Sequence, residues 1–238
     1  MLRSRLLFLA LLVLFVSLSA CSALGGLDGL TGDVTAESEE TQSVIVPGVP
    51  SLLVSHFAGD VTVRDGEADT ITANLTRQSR LSDAAEAEAQ LELITMSFTQ
   101  SGTDVTLTIE GRDGVDEGLD AATANLELLV PPGTVLDINL GAGNLTVERP
   151  SADVTVNLGA GNATVTLPAE ASFNLSVAGG VGNVNSDFEG VPDGGIATDI
   201  DTTIGSNPTQ TLTFNVGAGT STSIRPSKKS RTQRRKAR

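Results

Sequence analysis

The chain has 238 residues, with one cysteine, one histidine, and neither tryptophan nor tyrosine. Between residues 22 and 225, all 29 acidic side chains stand against six arginines, which gives this part a formal charge of −23. Such a charge repels anionic surfaces and argues against a body that binds nucleic acid or lipid headgroups. The single cysteine also excludes an intramolecular disulfide.

The N-terminus has the three-part pattern of an export signal. Arg3 and Arg5 precede an apolar run, Leu6–Val16, and the small residues of Ser17–Ala20 precede Cys21. The apolar run is shorter than the about 20 residues that a transmembrane helix needs. This pattern resembles a bacterial lipobox, so residues 1–20 are predicted to be a removable lipoprotein signal peptide. The alternative is a secretory signal cleaved elsewhere, with Cys21 merely a small residue behind it.

A lipidated cysteine implies a location as well as a modification. Cys21 would become the first residue of the mature protein and carry a diacylglycerol together with an acyl chain such as palmitate. Two or more chains anchor a protein stably at a membrane. We therefore expect an extracytoplasmic protein on the outer face of the bacterial cell membrane.

Two terminal segments lack apolar periodicity. Residues 21–42 combine the lipidated cysteine with a stretch rich in Gly, Ser, Thr and Glu, which is typical of a flexible tether. Residues 226–238 carry seven Lys or Arg side chains and are expected to form a disordered basic tail. The tail either aids solubility or contacts an anionic lipid or envelope polymer.

Between these ends, a strand followed by a glycine corner recurs in residues 138–144, 156–162, 175–183 and 214–220. Each copy alternates apolar and polar residues before the corner, and a second short strand follows it. The corners recur 18 residues apart from Gly141 to Gly159, and 21 residues apart from Gly161 to Gly182. Repeats of this length are typical of solenoids. The corner positions are Gly59, Gly141, Gly143, Asn144, Gly159, Gly161, Asn162, Gly182, Asn183, Gly217 and Gly219.

The pattern predicts an all-β protein with one domain, a β-solenoid (β-helix) of stacked short strands, over residues 43–225. Successive coils would bring Asn144, Asn162 and Asn183 into one ladder of amide hydrogen bonds. An earlier copy at residues 57–63 places Asp60 where the other copies have Asn.

The region between the first and second corners departs from the repeat. It predicts strands at residues 71–76, 93–98, 105–109 and 126–130. A short helix over residues 82–91, with Ser82 as N-cap, would cover a sheet edge.

The order of these features resembles a known family. The Ala-Gly-Asp-Val-Thr-Val start at residues 58–63, the alanine-rich helix, the Val-Pro-Pro-Gly turn at 130–133 and the Gly-Ala-Gly-Asn corners are similar to the "putative adhesin" family of bacterial surface proteins. The resemblance covers roughly residues 43–225. It implies a β-solenoid of stacked strands and no established catalytic residues.

Chemistry-bearing residues are few. His56 is the only histidine, so a catalytic triad would have a single candidate base. Asp60, Asp65, Glu67 and Asp69 are near enough in sequence to supply a carboxylate pair, although solvated loop charges are the commoner outcome. We therefore assign no catalytic residue, no cofactor site and no metal site, and expect the protein not to be an enzyme.

The sequence thus favours a membrane-anchored, adhesin-like or structural envelope module that binds an unidentified protein or glycan on its solenoid surface, without nucleic acid. Two alternatives stay open. One is a carbohydrate-active enzyme that uses paired carboxylates on a β-helical scaffold. The other is an envelope-stress or assembly factor.

The lipobox hypothesis makes a direct prediction for Cys21→Ala. Without the thiol there is no lipid attachment, so the variant should leave the detergent phase and accumulate as an uncleaved precursor or a soluble form. Detergent-phase partitioning with an acyl label measures this. Equal partitioning and equal label in the variant and the wild type would contradict the assignment.

Overall fold

The structure is a computed structural model that describes residues 34–111, 119, 121–180, 182–191, 199–217 and 220–227. Within them, fourteen strands belong to one hydrogen-bonded sheet, and one short helix accompanies them. The predicted all-β class is confirmed. The elements are β1 (Ala36–Ile45), β2 (Ser51–Ala58), β3 (Val61–Asp65), β4 (Thr70–Ser79), α1 (Ala84–Leu91), β5 (Ile94–Ser101), β6 (Asp104–Gly111), β7 (Ala122–Val130), β8 (Val135–Glu148), β9 (Val154–Leu167), β10 (Phe173–Gly179), β11 (Gly182–Ser186), β12 (Ile200–Ile204), β13 (Thr211–Val216) and β14 (Thr220–Pro226).

The sheet is built from two-armed layers. In β8 and β9 a single strand passes through the corner, whereas in other layers two strands flank it: β2 with β3, β13 with β14, and β10 with β11. We call the part before the corner the first arm and the part after it the second arm. Neighbouring layers pair in parallel on both arms, as β8 and β9 do from Leu136↔Val154 to Glu148↔Thr166.

The corner changes which residues face the core. In β8 the buried residues are Leu136, Ile138 and Leu140 before the corner, then Leu145 and Val147 after it. The spacing from 140 to 145 is odd, whereas a regular strand repeats its buried face every second residue. This one-residue shift turns the apolar faces of both arms toward the same core. The paired strand β9 shows the same shift between its two arms.

The corner glycines are fixed by backbone geometry. Gly143 and Gly161 have φ of 140° and 131°, a region that side chains disfavour. A Cβ at Gly143 would collide with the carbonyl oxygen of Gly59, and one at Gly161 with that of Gly143. Close stacking of the layers at the corner therefore requires glycine at both positions.

The layers do not stack in chain order. β2 and β3 lie between the β6–β7 layer and β8, because β2 pairs with both β6 and β8, and β3 with both β7 and β8. Similarly, β13 and β14 pair with β9, while β10 pairs with β13 and β11 with β14. The expectation that successive coils are neighbours is therefore wrong for these layers. Corners of one kind can stack in any order, so the connecting segments decide it.

Antiparallel strands complete the stack at its ends. β4 pairs with β7 and β5 with β6, and β1 is added outside β4. At the other end β12 pairs with β10. The helix α1 lies between β4 and β5 in the chain and packs against β1 and β4, where Ala87, Gln90 and Leu91 are buried.

Two boundaries predicted from the sequence need correction. The helix begins at Ala84, and its N-cap is Asp83, whose carboxylate accepts from the Glu86 amide; Ser82 is not the cap. The tether predicted to run to residue 42 is too long, because β1 begins at Ala36. This strand has few buried positions, so it lacks the apolar alternation that would reveal it, and backbone pairing with β4 holds it instead.

Several predicted features lie outside the described residues. They include the signal peptide, Cys21, Gly219 and the basic residues 228–238. Pro226, the first residue of the predicted tail, is instead the last residue of β14.

The corner geometry predicts a large difference between two valine substitutions. Gly161→Val should lower the free energy of unfolding by ~1–3 kcal/mol through the strained φ alone. The loss should be larger than this, because the new Cβ would also clash with the Gly143 carbonyl oxygen. Thr146→Val, at a half-buried outward position of β8, should change it little. Urea melts of both variants measure the effect, and equal losses of stability would show that the corner does not require glycine.

Candidate binding faces

The outer faces of the two arms carry the polar side chains that alternate with the core residues. Because the layers are in register, a polar residue at one position of a repeat lies beside its counterpart in the next layer. Adjacent strands are about 4.8 Å apart, which is within reach of side-chain hydrogen bonds between neighbours. The result is rows of like residues that run across the strands.

One row follows the corner, and we call it the corner ladder: Asn125, Asp60, Asn144 and Asn162. Nδ2 of Asn162 donates to Oδ1 of Asn144 at 2.9 Å. The Asp60 carboxylate accepts from both Nδ2 and the backbone N–H of Asn144, at 2.9 and 3.0 Å. The backbone N–H of Asp60 in turn donates to Oδ1 of Asn125 at 3.0 Å. Four layers are thus joined through side chains at the exposed corner.

A second row lies on the first arm, and we call it the arm ladder: Asn139, Asn157 and Asn215. Nδ2 of Asn157 donates to Oδ1 of Asn139 at 2.8 Å, and Nδ2 of Asn215 donates to Oδ1 of Asn157 at 2.7 Å. An amide has two donors and two acceptor sites, so each side chain keeps hydrogen-bonding capacity for solvent or a ligand.

The outer rows of the second arm also contain charged residues. Arg64 bridges Glu127 at 2.6 Å and Glu148 at 3.1 Å, which joins β7, β3 and β8 on the outer face. The hydrogen bond and charge of Glu148, with a smaller contribution from Glu127, raise the pKa of Arg64 above its usual value. All three side chains are exposed, so this network contributes little to stability.

A shallow depression of about 540 Å³ lies on the outer face where β1, β4, β7 and β3 meet. Its carboxylates are largely engaged: Asp60 accepts from Asn144, Glu127 is paired with Arg64, and Glu40 is paired with Arg77. Among the described residues, Glu39 is the lining carboxylate without a polar partner, and it is exposed. The depression therefore offers amides and hydroxyls beside carboxylates, of which Glu40 and Glu127 are paired with arginines.

The other acidic residues considered from the sequence do not join this depression. Asp65 ends β3 and lies 3.8 Å from Arg149, while Glu67 and Asp69 lie in the turn that leads to β4. Among the described residues, no three Asp, Glu, His or Cys side chains form a group that could hold a metal ion.

The predicted corner residues occupy equivalent places in the layers. Gly59, Gly143 and Gly161 share one row, and Gly141, Gly159 and Gly217 share the row two residues earlier in the chain. The register sets Asn183 in the row of the corner ladder, but β14 lies between its strand and β9. Its direct neighbour in the row is therefore Ser221 and not Asn162.

Sequence reasoning did not find Asn125 or the residues of β1 and β4 around the depression. The pairing Val61↔Leu126 sets Asn125 beside Asp60, yet its strand follows no glycine corner. A usable signal was the alternation Ala124-Asn125-Leu126, which is the same polar-between-apolar pattern found in the repeats.

His56 occupies a core position, in register with Ile109 and Leu140. Its Nε2 lies 2.6 Å from the carbonyl oxygen of Ala124, so Nε2 carries the proton, while Nδ1 is buried without a hydrogen-bond partner among the described residues. Burial lowers the pKa of His56 to about 4, against a smaller opposing effect of the Ala124 hydrogen bond. The imidazole is therefore a neutral structural donor across the two arms.

A family model described as the N-terminal domain of toast_rack, DUF2154, matches residues 36–187. The chain belongs to this family. The match begins at the first residue of β1 and includes the corners of β2–β3, β8 and β9 and the strands β10 and β11. The resemblance to adhesin-like surface proteins is confirmed at the level of the family.

The chain is similar to solved structures at low sequence identity. A "putative cell adhesion protein" from Clostridium sporogenes is 16% identical with a TM-score of 0.51, and the alignment covers 81% of this chain and 100% of that one. A "putative adhesin" from Bacteroides fragilis is 11% identical with a TM-score of 0.27, covering 80% of this chain and 99% of that one. The first of these likenesses establishes the fold alone.

No curated protein sequence matches the chain. Within the part of the chain that the structure describes, no helix is long and apolar enough to cross a bilayer.

The buried imidazole predicts a pH-dependent stability. The unfolded chain binds a proton at His56 below its ordinary pKa of 6.5, but the folded chain does so only near 4. The contribution of neutral His56 to the free energy of unfolding should therefore be complete above pH 6.5. The free energy of unfolding should fall as the pH decreases toward 4, by up to about 1.4 kcal/mol per pH unit.

His56→Leu should remove this part of the pH dependence. It should also cost ~1–3 kcal/mol at pH 7, because the Ala124 carbonyl loses its donor. Urea melts of both proteins at pH 7 and pH 5 measure the difference. Parallel stability curves would show that His56 does not titrate differently on folding.

Proposed function

We propose that the protein is a lipid-anchored module on the outer face of the bacterial cell membrane that binds an envelope component non-covalently through its polar outer faces. The lipobox at Cys21 supports the anchor. The adhesin-like fold and the ladders support a surface-binding role. We also infer that the parallel layers form a β-solenoid, in which several layers present like polar residues to solvent.

The observation that carries this proposal is the in-register array of amides and hydroxyls on both arms. The second arm repeats Thr62, Thr146 and Thr164, and the first arm repeats the Asn residues of the arm ladder. Such groups recognise a polar partner without the charge that would attract nucleic acid. A regular array also suits an extended partner, because equivalent contacts recur at each layer.

The arrangement of carboxylates supports binding over catalysis. A glycosidase needs one carboxylic acid held in an environment that keeps it protonated, opposite a second carboxylate. Here Asp60 and Glu127 are tied to Asn144 and Arg64 in an open depression. We propose that the protein is not an enzyme, and a carboxylate-based polysaccharide enzyme becomes an outcome of the test.

The test is co-sedimentation of the full-length protein, in detergent, with an insoluble cell-wall preparation before and after protease treatment. Thr155→Arg and Thr164→Arg each place a bulky charge on one outer face, while Ala89→Arg, at an exposed position in the last turn of α1, adds the same charge and is the matched control. We expect at least one face variant to reduce the bound fraction several-fold, and the control to behave as wild type with all urea melts unchanged.

Three results would overturn the proposal. They are equal binding by all variants, no binding by the wild type, and release of soluble sugar fragments from the wall. The last of these would favour the enzyme. If the protein fails to bind the wall or envelope proteins but its deletion alters envelope-stress reporters, the assembly-factor alternative is favoured.

A further inference from the structure

The first arm has a second depression, which we call the Phe57 depression, with a volume of about 380 Å³. It lies across β6, β2, β8 and β9, close to the corner. Unlike the depression on the second arm, it is lined by an aromatic ring and by uncharged polar groups, with Glu110 as the one carboxylate among the described lining residues. Its lining includes Ser55, Phe57, Thr108, Glu110, Asn139 and Asn157.

Phe57 occupies an unusual place for an aromatic residue in this chain. Along β2, Leu52, Val54 and His56 face the core, so Phe57 lies on the opposite, outer side and is only half-buried. Its counterpart in the next layer is Gly141, which has no side chain to cover the ring. Phe173 and Phe214, by contrast, are fully buried in the core. The ring is therefore partly exposed on the outer side, while it also packs against the core and makes a T-shaped contact with the His56 imidazole at a centroid distance of 5.6 Å.

The arm ladder forms the polar side of the depression. Oδ1 of Asn139 accepts from Asn157, while Nδ2 of Asn139 has no hydrogen-bond partner among the described residues. Ser55 lies in register beside Asn139 in the layer of Phe57. A ligand in the depression would thus meet the Phe57 ring and, in each neighbouring layer, an amide or hydroxyl group that can donate or accept a hydrogen bond.

We propose that the Phe57 depression binds a linear, uncharged, β-linked glycan whose chain runs across the strands, with one sugar ring on Phe57 and hydroxyls on Asn139 and Asn157. This inference rests on the proposed function and names the ligand class for one site. A sugar ring has an apolar C–H face and a rim of hydroxyls, which match an aromatic surface and planar amides.

Other polymers fit less well. An extended peptide binds by pairing with the free edge of a sheet, but the backbone groups of β2 are already paired on both sides, with β6 and β8. An anionic polymer would meet Glu110 and an acidic body, and the described lining contains neither Lys nor Arg. One half-buried ring offers too little apolar area to hold a lipid chain.

The test is calorimetric titration of the full-length protein with cello- and chito-oligosaccharides of two to six units, in a detergent without a sugar head group. Affinity should rise with length as more layers are contacted. Phe57→Leu keeps most of the apolar volume but removes the aromatic face, and it should weaken hexasaccharide binding about 2- to 12-fold. Phe98→Leu, at another half-buried phenylalanine that packs on the core but lies outside the depression, is the matched control.

A second pair of variants separates the two ladders. Asn157→Ser should weaken hexasaccharide binding, whereas Asn162→Ser in the corner ladder should not, and urea melts show whether each variant is folded. Absence of binding by both hexasaccharides, or equal effects within either pair, would overturn the glycan assignment. Retained cell-wall binding that only Thr164→Arg reduces would leave the proposed function intact and place the contact on the second arm.

Discussion

The close approach of backbones at the corner is the constraint on which the rest of this structure depends. At Gly143 and Gly161 the next layer's carbonyl oxygen occupies the space of a Cβ, so the layers meet there without side chains between them. That contact fixes the lateral register of neighbouring layers. It also accompanies the one-residue shift in alternation, which turns the apolar faces of both arms inward. The glycine corner therefore determines both which side chains face the core and which form the outer rows.

The ladders follow from the register and help to maintain it. A slip of one residue would turn the buried aliphatic residues outward and bring the Asn rows into the core, at a large cost. Each exposed amide bond contributes only modestly to stability, about 1 kcal/mol or less. The core thus supplies most of the stability, and the ladders make equivalent groups recur along the outer faces. The proposed binding surface is a by-product of stacking, since no loop has to be ordered to form it.

The sequence predicts the corners well because they combine two independent signals, alternation and glycine spacing. It predicts the order of layers poorly, because corners of one kind are interchangeable and only the connections, such as the segment with β4, α1 and β5, decide which layers meet. β1 escaped prediction since an edge strand stabilised by backbone pairing needs little apolar alternation. Asn125 was missed for a related reason: its partner Asp60 is distant in sequence and becomes a neighbour only through the non-sequential stacking.

The layer formed by β2 and β3 departs from the repeat at three positions, all of which lie close to the corner. His56, Phe57 and Asp60 stand where the next layer has Leu140, Gly141 and Asn144. The layer on their other side, β6 with β7, has no Gly-Ala-Gly-Asn corner, so Ala124 presents a buried carbonyl that His56 satisfies. Phe57 and Asp60, on the outside, each line one of the two depressions. The outer faces therefore differ most from the repeat where the regular stack meets its irregular end, and the proposed recognition of a particular partner is best sought at that junction.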